Sequence, residues 1–199
     1  MAQALSRGQG PARAWGAWLL LSQPVVIAVQ LLVASRWPGF DHVRDTVSDL
    51  GSQASPAHVL MNVSFVVIGG ALAAGAVLTA PHLGRVPAGL LLVSGVGSLA
   101  VGLAPVDTAP GWHTAVALPV FVAQPLALLL LGAPRRGTTL GRELLVAGVV
   151  AAAGSTAFGV TLALDTSGGL VERFALWSCH LGVALLGYAV LRGLLLEDR

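Results

Sequence analysis

Six apolar runs, each long enough to cross a bilayer, constrain this chain more than any other feature. They cover residues 14–35, 58–80, 86–104, 112–132, 143–164 and 171–195. A spanning helix needs about 20 such residues. In hydrocarbon every backbone N–H and C=O must be satisfied by the chain itself, so runs of this kind become helices. The expected fold class is all-α: a polytopic membrane protein with six transmembrane helices in one compact bundle. The transmembrane domain covers 13–196. Residues 1–12 read as an N-terminal cytoplasmic tail and 197–199 as a short cytoplasmic C-terminal end. The first run follows basic residues, but it exceeds the ~7–15-residue core of a signal peptide. Val33-Ala34-Ser35 is also a poor cleavage site, so this run is expected to stay as a helix.

Charge supplies the orientation. Only 10% of residues are charged, against about 25% in a soluble domain. The net charge is +2, and every basic residue is arginine. These arginines form no stripe, so a nucleic-acid partner is not expected. Arg7, Arg13, Arg85, Arg135, Arg136, Arg142, Arg192 and Arg199 fall on one side of the alternating spans. Arg36, Arg44 and Arg173 fall on the other. Short loops rich in arginine stay in the cytoplasm. Both termini are therefore expected in the cytoplasm, in the cell (plasma) membrane, with the loops near 36–57, 105–111 and 165–170 outside. Trp15 and Trp18 suit the inner interface, and Trp37 and Trp112 the outer one.

Small residues recur within the runs, among them Gly69, Gly75, Gly95, Gly102, Gly154 and Gly187. They let helix backbones approach closely where no hydrophobic force drives association. Pro24, Pro119 and Pro125 fall inside helices and should kink them. Cys179 stands alone in an apolar run, so no intrachain disulfide can form.

The longest polar interruption is Asp41–Asn62, between the first two spans. Nearly all the acidic groups share its side of the membrane. Polar residues just inside the helices are more informative, because hydrocarbon penalises them unless they face the bundle interior. His58 and Asn62 share one face, as do His113 and Gln124, then Arg173, Trp177 and His180, and finally Gln23 and Gln30. These point to an outward-facing polar pocket built from Ser48, Asp49, His58, Asn62, Asp107, His113, Glu172, Arg173 and His180. Arg173 is expected to hold Asp49 or Asp107 by a bidentate bond, with Asp49 favoured, closing the loop onto the last helix. A histidine metal site would need His58, His113 and His180 to converge. No HExxH or CxxC spacing supports one, and neither a metal nor a cofactor is expected. No GxSxG elbow surrounds Ser48. Ser48-Asp49-Leu50-Gly51 reads instead as a turn that drops the loop onto the bundle.

Three motifs occur in order along the chain. They are Val47-Ser48-Asp49-Leu50-Gly51 with Met61-Asn62 downstream, Pro105-Val106-Asp107 with His113, and Gly169-Leu170-Val171-Glu172-Arg173. Together they resemble the bacterial and archaeal membrane proteins of domain of unknown function 998. The resemblance spans all six helices, from about residue 14 to 195. It implies that Ser48, Asp49, Asn62, Asp107, His113, Glu172 and Arg173 occupy that family's characteristic positions. It carries no settled activity.

Three functions fit these residues. The first is an integral membrane protein whose external polar pocket binds or transports a small molecule or lipid, for which transport by six short spans would need a homo-oligomer. The second is a membrane-embedded enzyme acting on a lipid or isoprenoid at the outer leaflet, with an Asp/His pair doing acid–base work. The third is a structural or assembly protein whose charges only hold loops together. Membrane lipids are the partners common to all three.

Overall fold

The structure is a computed structural model that describes residues 10–195. The expectations for the terminal segments 1–9 and 196–199, with Arg7 and Arg199, lie outside the described residues. The described residues contain seven α-helices, α1 (Pro11–Leu21), α2 (Val25–Ser35), α3 (His58–Leu83), α4 (Arg85–Leu103), α5 (Pro110–Gly132), α6 (Thr139–Ala163) and α7 (Gly169–Arg192), and two short 3-10 turns, Ser48–Gly51 and Ala133–Arg135. With α1 and α2 taken as one span, six stretches are long and apolar enough to cross a membrane. The chain is an all-α membrane protein of the expected class.

The first span divides at Ser22–Pro24. Pro24 has no N–H to give the Leu20 carbonyl, and the Gln23 amide takes that carbonyl instead at 3.3 Å. The break places the fully buried Gln23 side chain between helices, where its Nε2 donates to the Ile68 carbonyl at 3.1 Å. Pro119 and Pro125 lie within a continuous α5. Helix α1 begins at Pro11, slightly ahead of the expected boundary, because proline suits a first helical turn.

Each span packs on the next in the chain, and α1 also contacts both α3 and α7. The spans therefore close into a ring in sequence order. Contacts between α5 and α7 cross its interior. Within its most apolar window α7 is 61% buried, against 28–44% for the other spans. It is the most enclosed helix, and it carries Glu172, Arg173 and His180.

The α3–α4 seam rests on reciprocal glycines. A Cβ at Gly69 would lie 2.4 Å from the Leu99 nitrogen, and one at Gly95 would lie 2.6 Å from the Ala73 nitrogen. Neither backbone could keep this approach with a side chain present.

The apolar core has two parts. One gathers Leu20, Leu72, Leu91, Leu128, Leu144 and Leu186. The other gathers Val26, Val47, Leu50, Met61, Phe65 and Leu176. In chain order, Gln23, Ser94, Ser98, Gln124 and His180 fall at or near the change from one cluster to the other. All five are buried. The bundle thus has a polar layer between two dry halves.

Candidate functional site

The loop from 36 to 57 folds over one end of the ring. Its short 3-10 turn, Ser48–Gly51, follows Val47, and both Val47 and Leu50 are buried in the adjoining core. Apolar anchors alone cannot fix a polar loop, because its backbone groups also need partners.

Helix α7 supplies most of these partners. Its first-turn amides have no acceptors within the helix, and Gly169 and Leu170 donate to the carbonyls of Arg44 (3.3 Å) and Val43 (3.1 Å). Arg173 Nη1 donates to the carbonyls of His42 (2.8 Å), Asp45 (2.7 Å) and its own helix's Gly169 (2.8 Å). The guanidinium lies 5.4 Å from the Phe40 ring centroid, a cation–π distance.

Arg173 does not hold Asp49, contrary to the expected pairing. Asp49 Oδ2 accepts from the Thr46 amide (2.7 Å) and hydroxyl (2.8 Å) within the loop. The local turn satisfies that carboxylate, while the loop's inward carbonyls attract the arginine. Asp107 is exposed and accepts from the Gln53 amide at 2.7 Å, so it meets neither Arg173 nor His113. Asn62 Nδ2 donates to the Gly51 carbonyl at 2.9 Å. His58 Nδ1 donates to the Ser55 carbonyl at 2.9 Å. Four of the expected pocket residues, Arg173, Asp107, Asn62 and His58, thus act here as fasteners of loop or helix-entry backbone.

The outer part of the loop has its own electrostatics. Arg44 pairs with Asp45 at 2.8 Å. The hydrogen bond from Arg44 holds the Asp45 carboxyl below its ordinary range. A depressed folded-state pKa contributes stability above the unfolded value, and this contribution is lost as pH falls through the folded one. Partial burial, reinforced by the Arg173 charge, pushes the His42 imidazole below its usual value.

Beneath the loop Ser48, His113 and Glu172 do converge. Glu172 is 1% exposed and His113 6%. Glu172 Oε2 accepts from the Val47 amide. Ser48 Oγ lies 3.2 Å from Glu172 Oε1 and 3.1 Å from His113 Nε2. His113 Nδ1 lies 2.7 Å from the Ala104 carbonyl. A carbonyl only accepts, so Nδ1 carries hydrogen. In the neutral ring, Nε2 is then the lone-pair nitrogen facing Ser48.

Two cavities meet at this cluster. The inner one, about 40 Å³, is lined by Gln23, Ser98, Gln124, Glu172 and His180 as well as Ser48 and His113. That is room for one or two waters and no larger ligand. Gln124 Oε1 accepts from Ser94 at 3.0 Å, while its Nε2 is buried without a protein partner. His180 Nδ1 makes a long 3.4 Å contact with Gln23 Oε1. The second cavity is a groove of about 300 Å³ between α5 and α6. Ser48, Asp49 and His113 line its polar end, and Leu118, Phe121, Phe158 and Leu162 its apolar walls. Leu118 and Leu162 are exposed, so the groove opens on the outer surface of the bundle.

Among the described residues, no group of three or more His, Cys, Asp or Glu side chains is placed to hold a metal, and His58, His113 and His180 do not converge. The link from Glu172 to Val47 and Ser48 was missed in the sequence reading. Its only signal there was an acidic residue on the first turn of a helix.

A family model described as "Protein of unknown function (DUF998)" matches residues 20–189. No curated protein and no solved structure matches the chain.

Proposed function

The chain belongs to the DUF998 family, and from that footing we propose that it binds a lipid-like amphiphile in the groove between α5 and α6. The observation that carries this reading is the groove's polarity. Its walls are apolar and open where lipid would lie, and its loop end presents Ser48, Asp49 and His113. An acyl or isoprenoid chain fits the walls, and a small polar headgroup fits the end. The volume, about 300 Å³, is at the lower limit of small-molecule sites. The loop end faces outward, as the arginine distribution favours.

A groove-filling variant tests this. A Cβ at Gly159 meets nothing within 4 Å, so Gly159→Phe should occupy the groove without straining α6. A diazirine-tagged phospholipid should label α5 and α6 in the wild type. Labelling should fall about tenfold in the variant at unchanged melting temperature, a loss of roughly 1.4 kcal/mol of binding. Equal labelling in both proteins would remove the groove as the site. Orientation has a separate check. Gln53→Cys and Gly137→Cys, both at exposed positions, should react with an impermeant thiol reagent from opposite sides of the membrane. Reaction from the same side would overturn the assignment.

A second reading, an enzyme acting on a lipid at the outer leaflet, is favoured by the 3.1 Å contact between Ser48 Oγ and His113 Nε2. This is the spacing of a hydroxyl and its general base. A fluorophosphonate probe that modifies Ser48 in the wild type and not in His113→Ala would support it. An unmodified wild type would count against it.

A further inference from the structure

We infer that Glu172, Ser48 and His113 share one mobile proton, forming a relay between the inner polar cavity and the groove. The inference follows from counting hydrogens. His113 Nδ1–H is committed to the Ala104 carbonyl at 2.7 Å, so a neutral His113 presents a bare Nε2 to Ser48. Ser48 has one hydroxyl hydrogen and stands 3.1 Å from that nitrogen and 3.2 Å from Glu172 Oε1. It cannot donate to both. If it donates to His113, the contact with Glu172 is a hydrogen bond only when the carboxyl carries a proton and donates to Ser48 Oγ. If it donates to Glu172, the carboxyl is ionised and His113 must be an imidazolium that donates to Ser48.

The two fully bonded states differ by a concerted shift. Glu172 passes its proton to Ser48 Oγ, as Ser48 passes its own to His113 Nε2. Ser48 remains a hydroxyl and the total charge is unchanged. The end points lie in different places. Glu172 lines the inner cavity and not the groove, whereas Ser48 and His113 line both. Water in the inner cavity has a donor waiting in the unpartnered Gln124 Nε2, and such water is the natural route for a proton to and from Glu172. The relay needs no occupant in the groove.

The loop brings Asp49, whose carboxylate is held by Thr46. Helix α7 brings Arg173, engaged with carbonyls, and His180, which also lines the inner cavity. Helix α4 contributes Ser98 and the Ala104 carbonyl, and α6 contributes Ser155 and Phe158 to the groove. Glu172 and His113 are the only titratable groups hydrogen-bonded to Ser48 among the described residues.

Titration of the full chain in lipid nanodiscs tests the relay. Two probes are followed together: the carboxylic C=O stretch of Glu172, assigned by its loss in Glu172→Gln, and the 15N shift of His113 Nε2. Coupled groups take up protons in macroscopic steps that belong to the pair, so in the wild type both probes should move together, sharing the midpoint of each step. In Glu172→Gln the amide keeps an acceptor for Val47 and a donor for Ser48 but releases no proton. The His113 Nε2 signal should then follow a single-site curve whose midpoint departs from the shared ones by on the order of one pH unit. Ser48→Ala should uncouple the probes, each then moving at a midpoint of its own. An unchanged His113 midpoint in Glu172→Gln would overturn the proposal. So would a midpoint that stays shared in Ser48→Ala, a variant that removes no buried charge and guards against misfolding of the first.

Discussion

Replacing Arg173 with methionine should release the loop at residues 41–46 while the six spans stay folded. Arg173 Nη1 alone serves the carbonyls of His42, Asp45 and Gly169. A hydrogen bond to a charged donor is worth about 1.5–3 kcal/mol, and a buried acceptor left without a donor costs about 1–3 kcal/mol. Water can reach part of the outer loop, which lowers the sum. We expect a loss of about 3 kcal/mol, which at about 1.4 kcal/mol per tenfold makes the loop open on the order of 100 times more often. Amide hydrogen exchange over 41–46 reads this directly, and protease sensitivity of the same segment should rise with it. Arg173→Lys should recover only part of the loss. An ammonium can replace one or two donors but not the broad guanidinium, whose carbon lies 5.4 Å from the Phe40 ring centroid. Wild-type protection in Arg173→Met would mean that the apolar anchors Val47 and Leu50 hold the loop unaided.

The physics that made the six spans legible is blunt. A bilayer demands long apolar helices, and the chain supplies six. The interruption at Pro24 was also readable, because a missing N–H removes a helical hydrogen bond, although the same reasoning applied to Pro119 and Pro125, which lie within a continuous α5. The ring order was not. It depends on which small residues meet another backbone, and composition does not mark them. Gly69 and Gly95 touch the opposing helix, whereas Gly70, Gly89 and Gly159 face open space.

The site divides along the same line. Ser48 was legible as part of a loop turn, and His113 and Glu172 as polar residues at helix mouths, where hydrocarbon penalises any group without a purpose. Their mutual contact was not, since it joins residues 48, 113 and 172 through three elements. The expected Asp49–Arg173 pair failed for a definite reason. Sequence displays side-chain charges but hides the backbone carbonyls that a folded loop leaves unmet, and an arginine with five N–H donors answers those equally well. The alternation of spans and loops also put His58, Asn62 and Asp107 at one end of the bundle. It could not show that each would be bonded to nearby backbone and not directed into a cavity.

Glu172→Ala should have the second large effect, on a different part of the same loop. The carboxyl group is 1% exposed, accepts from the Val47 amide and is hydrogen-bonded to Ser48 Oγ. Truncation leaves the Val47 amide buried without an acceptor, at about 1–3 kcal/mol, and adds a void beside an existing cavity. The total should be about 3 kcal/mol, and exchange of the Val47 amide should quicken by on the order of 100-fold. Residues 41–45 should respond less, because Arg173 still holds them. Glu172→Gln, which keeps the shape and both hydrogen bonds, should lose much less, and near-equal losses in the two variants would mean that charge, not bonding, is what the loop requires. The double variant with Arg173→Met decides whether the loop is one unit. Neighbouring groups that share a structural element are not additive. If opening either anchor frees the whole segment from 41 to 51, the second substitution removes contacts already lost, and the double loss should fall well short of the sum. Full additivity would show that the Arg173-held strip and the Glu172-held turn open independently, so that the turn bearing Ser48 can move over the groove while the outer loop stays closed.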